Sequence, residues 1–220
     1  ARPVLRRERA RDRGVEIVQH EEPILVIGIT DERLQQFARQ YVGKSVFDNN
    51  CATCHGSSAQ GAVGYPNLTD NIWHWGGEPE QILETVLNGR QAAMPAWESA
   101  LGGPQGVTEV AVYLQSMRGE KVDTSLANAG KNKYDMICVS CHGPDGKGMQ
   151  ALGSPDLTDD YWLYGDDARA VETSIALGRN GAMPAHAPII GDTRARLVAA
   201  YVWSLSHAKA AQADGGASKQ

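Results

Sequence analysis

Phenylalanine is almost missing from this chain: Phe37 and Phe47 are the only two in 220 residues, and aromatic residues make up 6%. The length allows one large domain or two small ones. Two domains of about 90 residues fall where burial alone is marginal. Small domains of that kind commonly need a disulfide, a metal or a cofactor as a staple. Basic charge is also short, with 21 Lys and Arg against 26 Asp and Glu and a net charge of −5. That balance argues against a nucleic-acid binder, which carries a basic footprint. Long hydrophobic runs are missing too. The longest, Ile24 to Ile29 and Leu197 to Trp203, fall far short of the roughly 20 residues that span a bilayer. With a mean hydropathy of −0.37, the chain as given is expected to be soluble. Sustained polar/apolar alternation is absent as well, so an all-α fold is expected and a sheet is not.

The staple is to be sought among the four cysteines. They form two copies of one pattern, Cys51-Ala52-Thr53-Cys54-His55 and Cys138-Val139-Ser140-Cys141-His142. C-x-x-C-H is the pattern of covalent c-type haem attachment. Two thiols add across the two vinyl groups of the porphyrin, and the following imidazole takes the iron from the proximal side. On a helical turn this spacing puts both sulfurs at one edge of the ring. A dithiol redox motif or one four-cysteine zinc site needs no histidine after the second cysteine. Here that histidine occurs twice, and 84 positions separate Cys54 from Cys138, more than a zinc-ribbon loop.

The duplication extends well beyond the cysteines. Gly43-x-x-x-Phe47 matches Gly130-x-x-x-Tyr134, and Pro66-Asn67-Leu68-Thr69-Asp70 matches Pro155-Asp156-Leu157-Thr158-Asp159. Trp73-His74-Trp75-Gly76 matches Trp162-Leu163-Tyr164-Gly165, Gly89-Arg90 matches Gly178-Arg179, and Met94-Pro95-Ala96 matches Met183-Pro184-Ala185. The spacing predicts a helix capped by Asp31 that carries Leu34, Phe37, Tyr41 and Val42, and helices over 80–87, 107–117, 170–177 and 194–206. Gly89 and Gly178 read as helix stops. The expected organisation is an arm at 1–30, one repeat at 31–122, a second at 123–207, and a disordered Ala/Gly/Ser/Lys-rich tail at 208–220.

A second axial ligand decides what such an iron can do: an open position permits ligand binding, whereas a thioether closes it and raises the potential. Met94 and Met183 stand at matching positions, 39 and 41 residues after their histidines, each followed by proline. Proline stiffens the loop that presents the sulfur. Met117, Met136 and Met149 have no repeat partner and read as core filler. His74 pairs with Leu163 and His186 with Trp97, so duplication supports neither as a ligand; His20 and His207 lie outside the repeats. Arg90 and Arg179 read equally as partners of a haem propionate and as helix-end cations. Trp73, Trp75, Trp162 and Tyr164 suit both porphyrin packing and ordinary core packing.

With these motifs the chain resembles, over about 40–206, the dihaem cytochrome c subunit of cbb3-type cytochrome oxidases. The string Asn67-Leu68-Thr69-Asp70…Trp73-His74-Trp75-Gly76-Gly77 is the more specific part. The resemblance implies two tandem all-α cytochrome c domains, each wrapped around one covalently bound haem c. It implies haem links at Cys51, Cys54, Cys138 and Cys141, and axial pairs His55 with Met94 and His142 with Met183. It also implies a periplasmic location in bacteria and electron relay from a periplasmic donor toward the oxidase, without catalysis by the chain itself. The rival readings are a free dihaem shuttle similar to cytochromes c4, and a dihaem enzyme such as a peroxidase or thiosulfate dehydrogenase. The family carries N-terminal hydrophobic anchors; this chain instead opens with Arg2, Arg6, Arg7, Arg9, Arg11 and Arg13. An anchor or signal peptide removed, or a soluble relative, are the expectations. The arm is expected to be solvated, with anionic lipid or an acidic partner as its alternatives, and the apolar 23–29 segment suits docking to a larger complex.

Overall fold

Gly43 and Gly130, the first residues of the duplicated pattern, are where the helices of this fold cross. The computed structural model describes the backbone of 32–214 and the side chains of 33–207. The arm at 1–30 with its 23–29 segment and His20, the cap at Asp31, and the side chains of the tail lie outside the described residues.

The first repeat begins with α1 (Glu32–Phe37), a π-helical stretch (Ala38–Gly43) and α2 (Lys44–Asn50), followed by the single turn α3 (Ala52–His55). After a long loop come α4 (Pro79–Asn88), β1 (Arg90–Met94) and α5 (Pro104–Met117). The second repeat follows the same course: α6 (Thr124–Ile137), α7 (Val139–His142), a 3₁₀ turn at Gln150–Leu152, α8 (Ala168–Leu177) and β2 (Arg179–Met183), then α9 (Ala187–Ile190) and α10 (Asp192–Asp214). The Asp123 and Asp167 side chains cap α6 and α8, each accepting from a backbone N–H at 3.0 Å. α4 starts with Pro79, and the Glu78 N–H donates to Gln81 Oε1 at 3.0 Å. α4 and α8 stop at Gly89 and Gly178, with φ of 72° and 74°, as expected.

Two features depart from expectation. β1 and β2 pair antiparallel, with Arg90 opposite Met183, Ala92 opposite Gly181 and Met94 opposite Arg179. Neither Arg-Gln-Ala-Ala-Met nor Arg-Asn-Gly-Ala-Met is a strand sequence by propensity, so the pairing is imposed by tertiary context. Secondly, α10 continues to Asp214, into a tail expected to lack structure. Ala208, Ala210, Ala211 and Ala213 are the strongest helix formers and extend it.

The two cores do not follow the two repeats. The first combines Val46 and Phe47 of α2, Ile82 and Val86 of α4, and Ala195, Val198, Ala199 and Val202 of α10. The second combines Val107, Val110 and Leu114 of α5 with Tyr134 of α6 and Val171 and Ile175 of α8. Each closing helix therefore packs on the opposite repeat. The division at 122/123 is a boundary of sequence pattern; α5 and α6, joined across it by a short link, are packing neighbours. The ribbon is where the chain passes between cores: the Trp97 N–H donates to Ile175 O at 3.0 Å, and the His186 N–H to Val86 O at 2.9 Å.

The crossings need glycine. A methyl at Gly43 would strike the Leu197 carbonyl and Tyr201, and one at Gly130 the Glu109 carbonyl and Tyr113. The other side of the entry helix is open: Leu34, Phe37, Tyr41 and Val42 are exposed, and the rings of Phe37 and Tyr41 stack at 4.6 Å. Among the described residues no helix is long and apolar enough to cross a membrane. Gly130→Ala is expected to cost about 1–3 kcal/mol through overpacking, although alanine is the better helix former. An earlier thermal melt checks this; an unchanged melt would contradict the close crossing.

Candidate functional site

Each cysteine pair is set by one extra turn at the end of a helix. The Cys51 N–H donates to Phe47 O at 2.8 Å, and the His55 N–H to Cys51 O at 3.0 Å. In the second copy the Cys138 N–H donates to Tyr134 O at 2.8 Å and the His142 N–H to Cys138 O at 3.0 Å. Gly56 and Gly143, with φ of 77° and 76°, end the turns. Cys54 and Cys141 are exposed, Cys51 and Cys138 half-buried, and no disulfide joins any of the four. Burial, and secondarily the neighbouring cysteine, pushes the Cys51 and Cys138 thiols up to about 11. A dithiol redox motif needs the opposite, a lowered thiol pKa. Among the described residues no group of three or more His, Cys, Asp or Glu is arranged to hold a metal ion, so the cysteine pairs do not form one zinc site.

The histidines are buried, 9% exposed for His55 and 8% for His142. His55 Nδ1 lies 3.0 Å from the Pro66 carbonyl, and His142 Nδ1 lies 3.2 Å from that of Pro155. A carbonyl only accepts, so Nδ1 carries the proton and Nε2 keeps its lone pair. Burial lowers the pKa of both imidazoles, outweighing the opposing effect of the proline carbonyl; the charge of His186 lowers His55 further. Both are thus held in the neutral form that ligates a metal.

The matched Pro-Asn/Asp-Leu-Thr-Asp segments, visible in sequence but given no role there, hold those carbonyls. Asn67 Oδ1 accepts from the Thr69 N–H and hydroxyl, both at 2.9 Å. Asp156 Oδ1 does the same for Thr158, at 2.7 Å each. Asp70 and Asp159 cap the next turn through the N–H groups of Ile72 and Tyr161. The Leu68 and Leu157 N–H groups tie back to Ala59 O and Gly146 O at 2.8 and 2.7 Å. These are Asx turns; the signal was the repetition of Asn or Asp two residues before threonine.

The two Met-Pro-Ala loops cross between the repeats. Met94 packs, with Trp97, against the second core, as do Cys138 and Val139. A methyl at Gly178 would strike the backbone of Met94, Pro95 and Ala96, and one at Gly89 that of Met183, Pro184 and Ala185. Each Met-Pro-Ala loop therefore lies on the helix end of the other repeat. The expected pairs were His55 with Met94 and His142 with Met183; the ribbon brings Met94 to the second core, against which Cys138 packs, and carries the Met183 loop to the end of α4 in the first. Met117 packs in the second core as filler, whereas Met136 and Met149 are exposed, at 75% and 37%, and fill no core.

Arg90 Nε donates to Thr85 Oγ1 at 2.8 Å and Nη2 to Gln81 O at 3.4 Å. Its guanidinium lies 5.1 Å from the centre of the Trp75 ring. Arg179 repeats this with Ser174 Oγ at 2.9 Å, Ala170 O at 3.5 Å and the Tyr164 ring at 4.3 Å. Both are anchored to the body of a helix and to an aromatic face. Trp73 packs against the first core. Trp162 packs against the second and donates from Nε1 to Asp159 O at 3.1 Å. His74 lies 5.9 Å from the Tyr161 ring; burial lowers its pKa against the pull of Asp159 and Asp70. His186 has a buried Nδ1 with no hydrogen-bond partner. His207 is stacked on Trp203 at 4.3 Å.

The sequence profile of the family described as cytochrome C oxidase, cbb3-type, subunit III matches the chain twice, over residues 38–114 and 125–202. The chain is 45% identical to the cbb3-type cytochrome c oxidase subunit CcoP of Rubrivivax gelatinosus over 165 residues, 75% of this chain and 54% of that protein. It is 39% identical to the subunit FixP of Sinorhizobium medicae over 186 residues, 80% of this chain and 64% of that protein. It is 38% identical to CcoP of Rhodobacter capsulatus over 193 residues, 80% of this chain and 65% of that protein. The chain thus spans between about half and two thirds of the length of these relatives.

Gly89→Ala and Gly178→Ala combine a positive φ with a collision against the methionine loop, and each is expected to cost about 1–3 kcal/mol. Gly102→Ala, where φ is 85° but nothing lies within 4 Å, is expected to cost less. Denaturant unfolding of the three variants checks the order; equal costs would remove the loop contact as a constraint.

Proposed function

Since the chain belongs to the family of the cbb3-type cytochrome c oxidase subunit III, we propose that it is a dihaem electron-transfer protein. It receives electrons from a periplasmic donor and relays them toward a terminal oxidase, on the periplasmic side of a bacterial membrane. The observation that carries this reading is the twice-built turn in which a C-x-x-C-H histidine, neutral and bonded through Nδ1 to a proline carbonyl, keeps Nε2 free.

The donor set fits haem c. Cys51 and Cys54 would hold one macrocycle, Cys138 and Cys141 the other, as thioethers. His55 and Met183 would hold the first iron, and His142 and Met94 the second. This exchanged pairing is supported by the Met-Pro-Ala loops lying against Gly178 and Gly89 of the opposite repeats. Haem c, when bound, supplies a one-electron couple whose potential a thioether ligand raises. The chain's own residues do the rest. The Pro66 and Pro155 carbonyls fix the imidazole tautomer and plane. Pro95 and Pro184 stiffen the loops that present the sulfurs. Arg90 and Arg179 retain guanidinium N–H groups beyond their helix contacts and would pair with propionates. Trp73 and Trp162 would line the macrocycles from the two cores.

Two covalent haems per chain are expected by pyridine haemochrome assay and by haem staining of the denatured protein; their absence would overturn the reading. Cys138→Ser would leave one vinyl of the second haem intact and so mark its visible band. In that background Met94→His is expected to lower the midpoint potential of the marked haem, and Met183→His that of the unmarked one. The reverse assignment would overturn the exchanged pairing alone. Co-purification with a haem–copper catalytic subunit from native membranes separates an oxidase subunit from a free shuttle.

A further inference from the structure

The loops that follow the two C-x-x-C-H turns end at the prolines whose carbonyls orient the histidines, and each loop is covered by an aromatic side chain of the other repeat. In the second loop, Gly153 stands two residues before Pro155. Its φ is 66°, and a methyl there would overlap the indole of Trp75. Gln150 Nε2 in the same loop donates to Trp73 O at 3.3 Å. Arg90 also lies over the indole, at 5.1 Å from the ring centre, and is tied to α4 through Thr85. A continuous series of contacts thus runs from α4 through Arg90, Trp75, Gly153 and Pro155 to His142. The first loop repeats it: Gly64, two residues before Pro66, donates its N–H to Leu163 O at 2.8 Å, and a methyl on it would lie 3.4 Å from Tyr164. That is ordinary van der Waals spacing. Trp75 fills the space a side chain at Gly153 would take, whereas Tyr164 leaves room for one at Gly64.

We propose that Trp75 is a positioning residue for His142, acting across the repeat boundary by holding the Gly153–Pro155 segment so that the proline carbonyl meets Nδ1–H, and that Tyr164 acts more weakly in the same way on His55. The proposal rests on the dihaem reading above. A hydrogen bond at Nδ1 makes the imidazole a stronger donor to the metal, which favours the oxidised iron and lowers the potential. Loss of the indole lets the loop relax, weakens that bond and raises the potential of the second haem. Entry of water alone acts in the opposite direction, since solvent stabilises the more charged oxidised site. The sign of the shift therefore separates positioning from simple loss of packing.

The test uses the full-length holoprotein with the second haem marked as above, comparing Trp75→Leu and Trp75→Phe with their parent by redox titration. Trp75→Leu is expected to raise the potential of the marked haem, by about threefold in the oxidised-to-reduced ratio at fixed ambient potential, roughly 30 mV for one electron. The unmarked haem is expected to stay in place, and Trp75→Phe to restore most of the difference. Exchange of the Nδ1 proton of His142 with solvent, followed by NMR, is expected to quicken in Trp75→Leu alone. Should Trp75→Leu fail to fold, Gly153→Ala, which forces loop and indole apart, is expected to shift the same haem the same way. A fall in potential, an equal shift of both haems, a shift of the unmarked haem alone, or no shift in either variant would overturn the proposal. A parent protein without two covalent haems would instead overturn the reading beneath it.

Discussion

The antiparallel crossing of Arg90–Met94 with Arg179–Met183 is the constraint on which the rest of the architecture depends. Five residues of pairing on each side pass each chain segment from one core to the other. Because of it, α5 closes the core of α6 and α8, and α10 closes that of α2 and α4. Because of it, too, each Met-Pro-Ala loop arrives at the helix end of the opposite repeat, against Gly178 or Gly89. Two small domains that are individually marginal are made interdependent: neither can lose its closing helix without exposing the core of the other.

Sequence reasoning could read the contents of each site but not the exchange. C-x-x-C-H names its chemistry by spacing alone, and duplication separates Met94 and Met183 from Met117, Met136 and Met149. A closing helix, however, makes the same contacts whether it folds back on its own repeat or onto an identical surface of a neighbour, which is the logic of domain swapping. The apolar stripe of α10 is therefore silent about which partner it meets. The ribbon was equally hidden, because Arg-Gln-Ala-Ala-Met has no β-branched residue to announce a strand. On the entry helix, Leu34, Phe37, Tyr41 and Val42 formed an apolar pattern, but the buried positions are Ala38 and Gly43. Close approach of α10 selects small residues there, and periodicity scales weight large ones.

The histidine geometry shows how a repeated motif without an evident chemical role serves one at a distance. Asn67 and Asp156 accept two hydrogen bonds each from the following threonine, which locks the Asx turn and with it the preceding proline carbonyl. That carbonyl fixes the tautomer of a histidine 11 or 13 residues upstream. Burial keeps the ring neutral, and the remaining nitrogen is left with its lone pair. The turn and the acceptor that set the histidine's tautomer are supplied by residues given no ligand role.

A pseudo-twofold scaffold would give two equal potentials if its halves were identical, and they are not. Phe47 of the first repeat is replaced by Tyr134 in the second, whose hydroxyl donates to Gly143 O at 2.7 Å and ties the end of the second turn to its helix. Trp75 fills the side-chain space at Gly153 of the second loop, whereas Tyr164 leaves that space open at Gly64 of the first. His186, with its Nδ1 buried and unpaired, bears on His55, while the matching position in the other repeat is Trp97. Each difference tightens the second site or adds a polar group to the first. With the same ligand types proposed for both irons, any difference in potential between them would come from these outer residues rather than from the ligands.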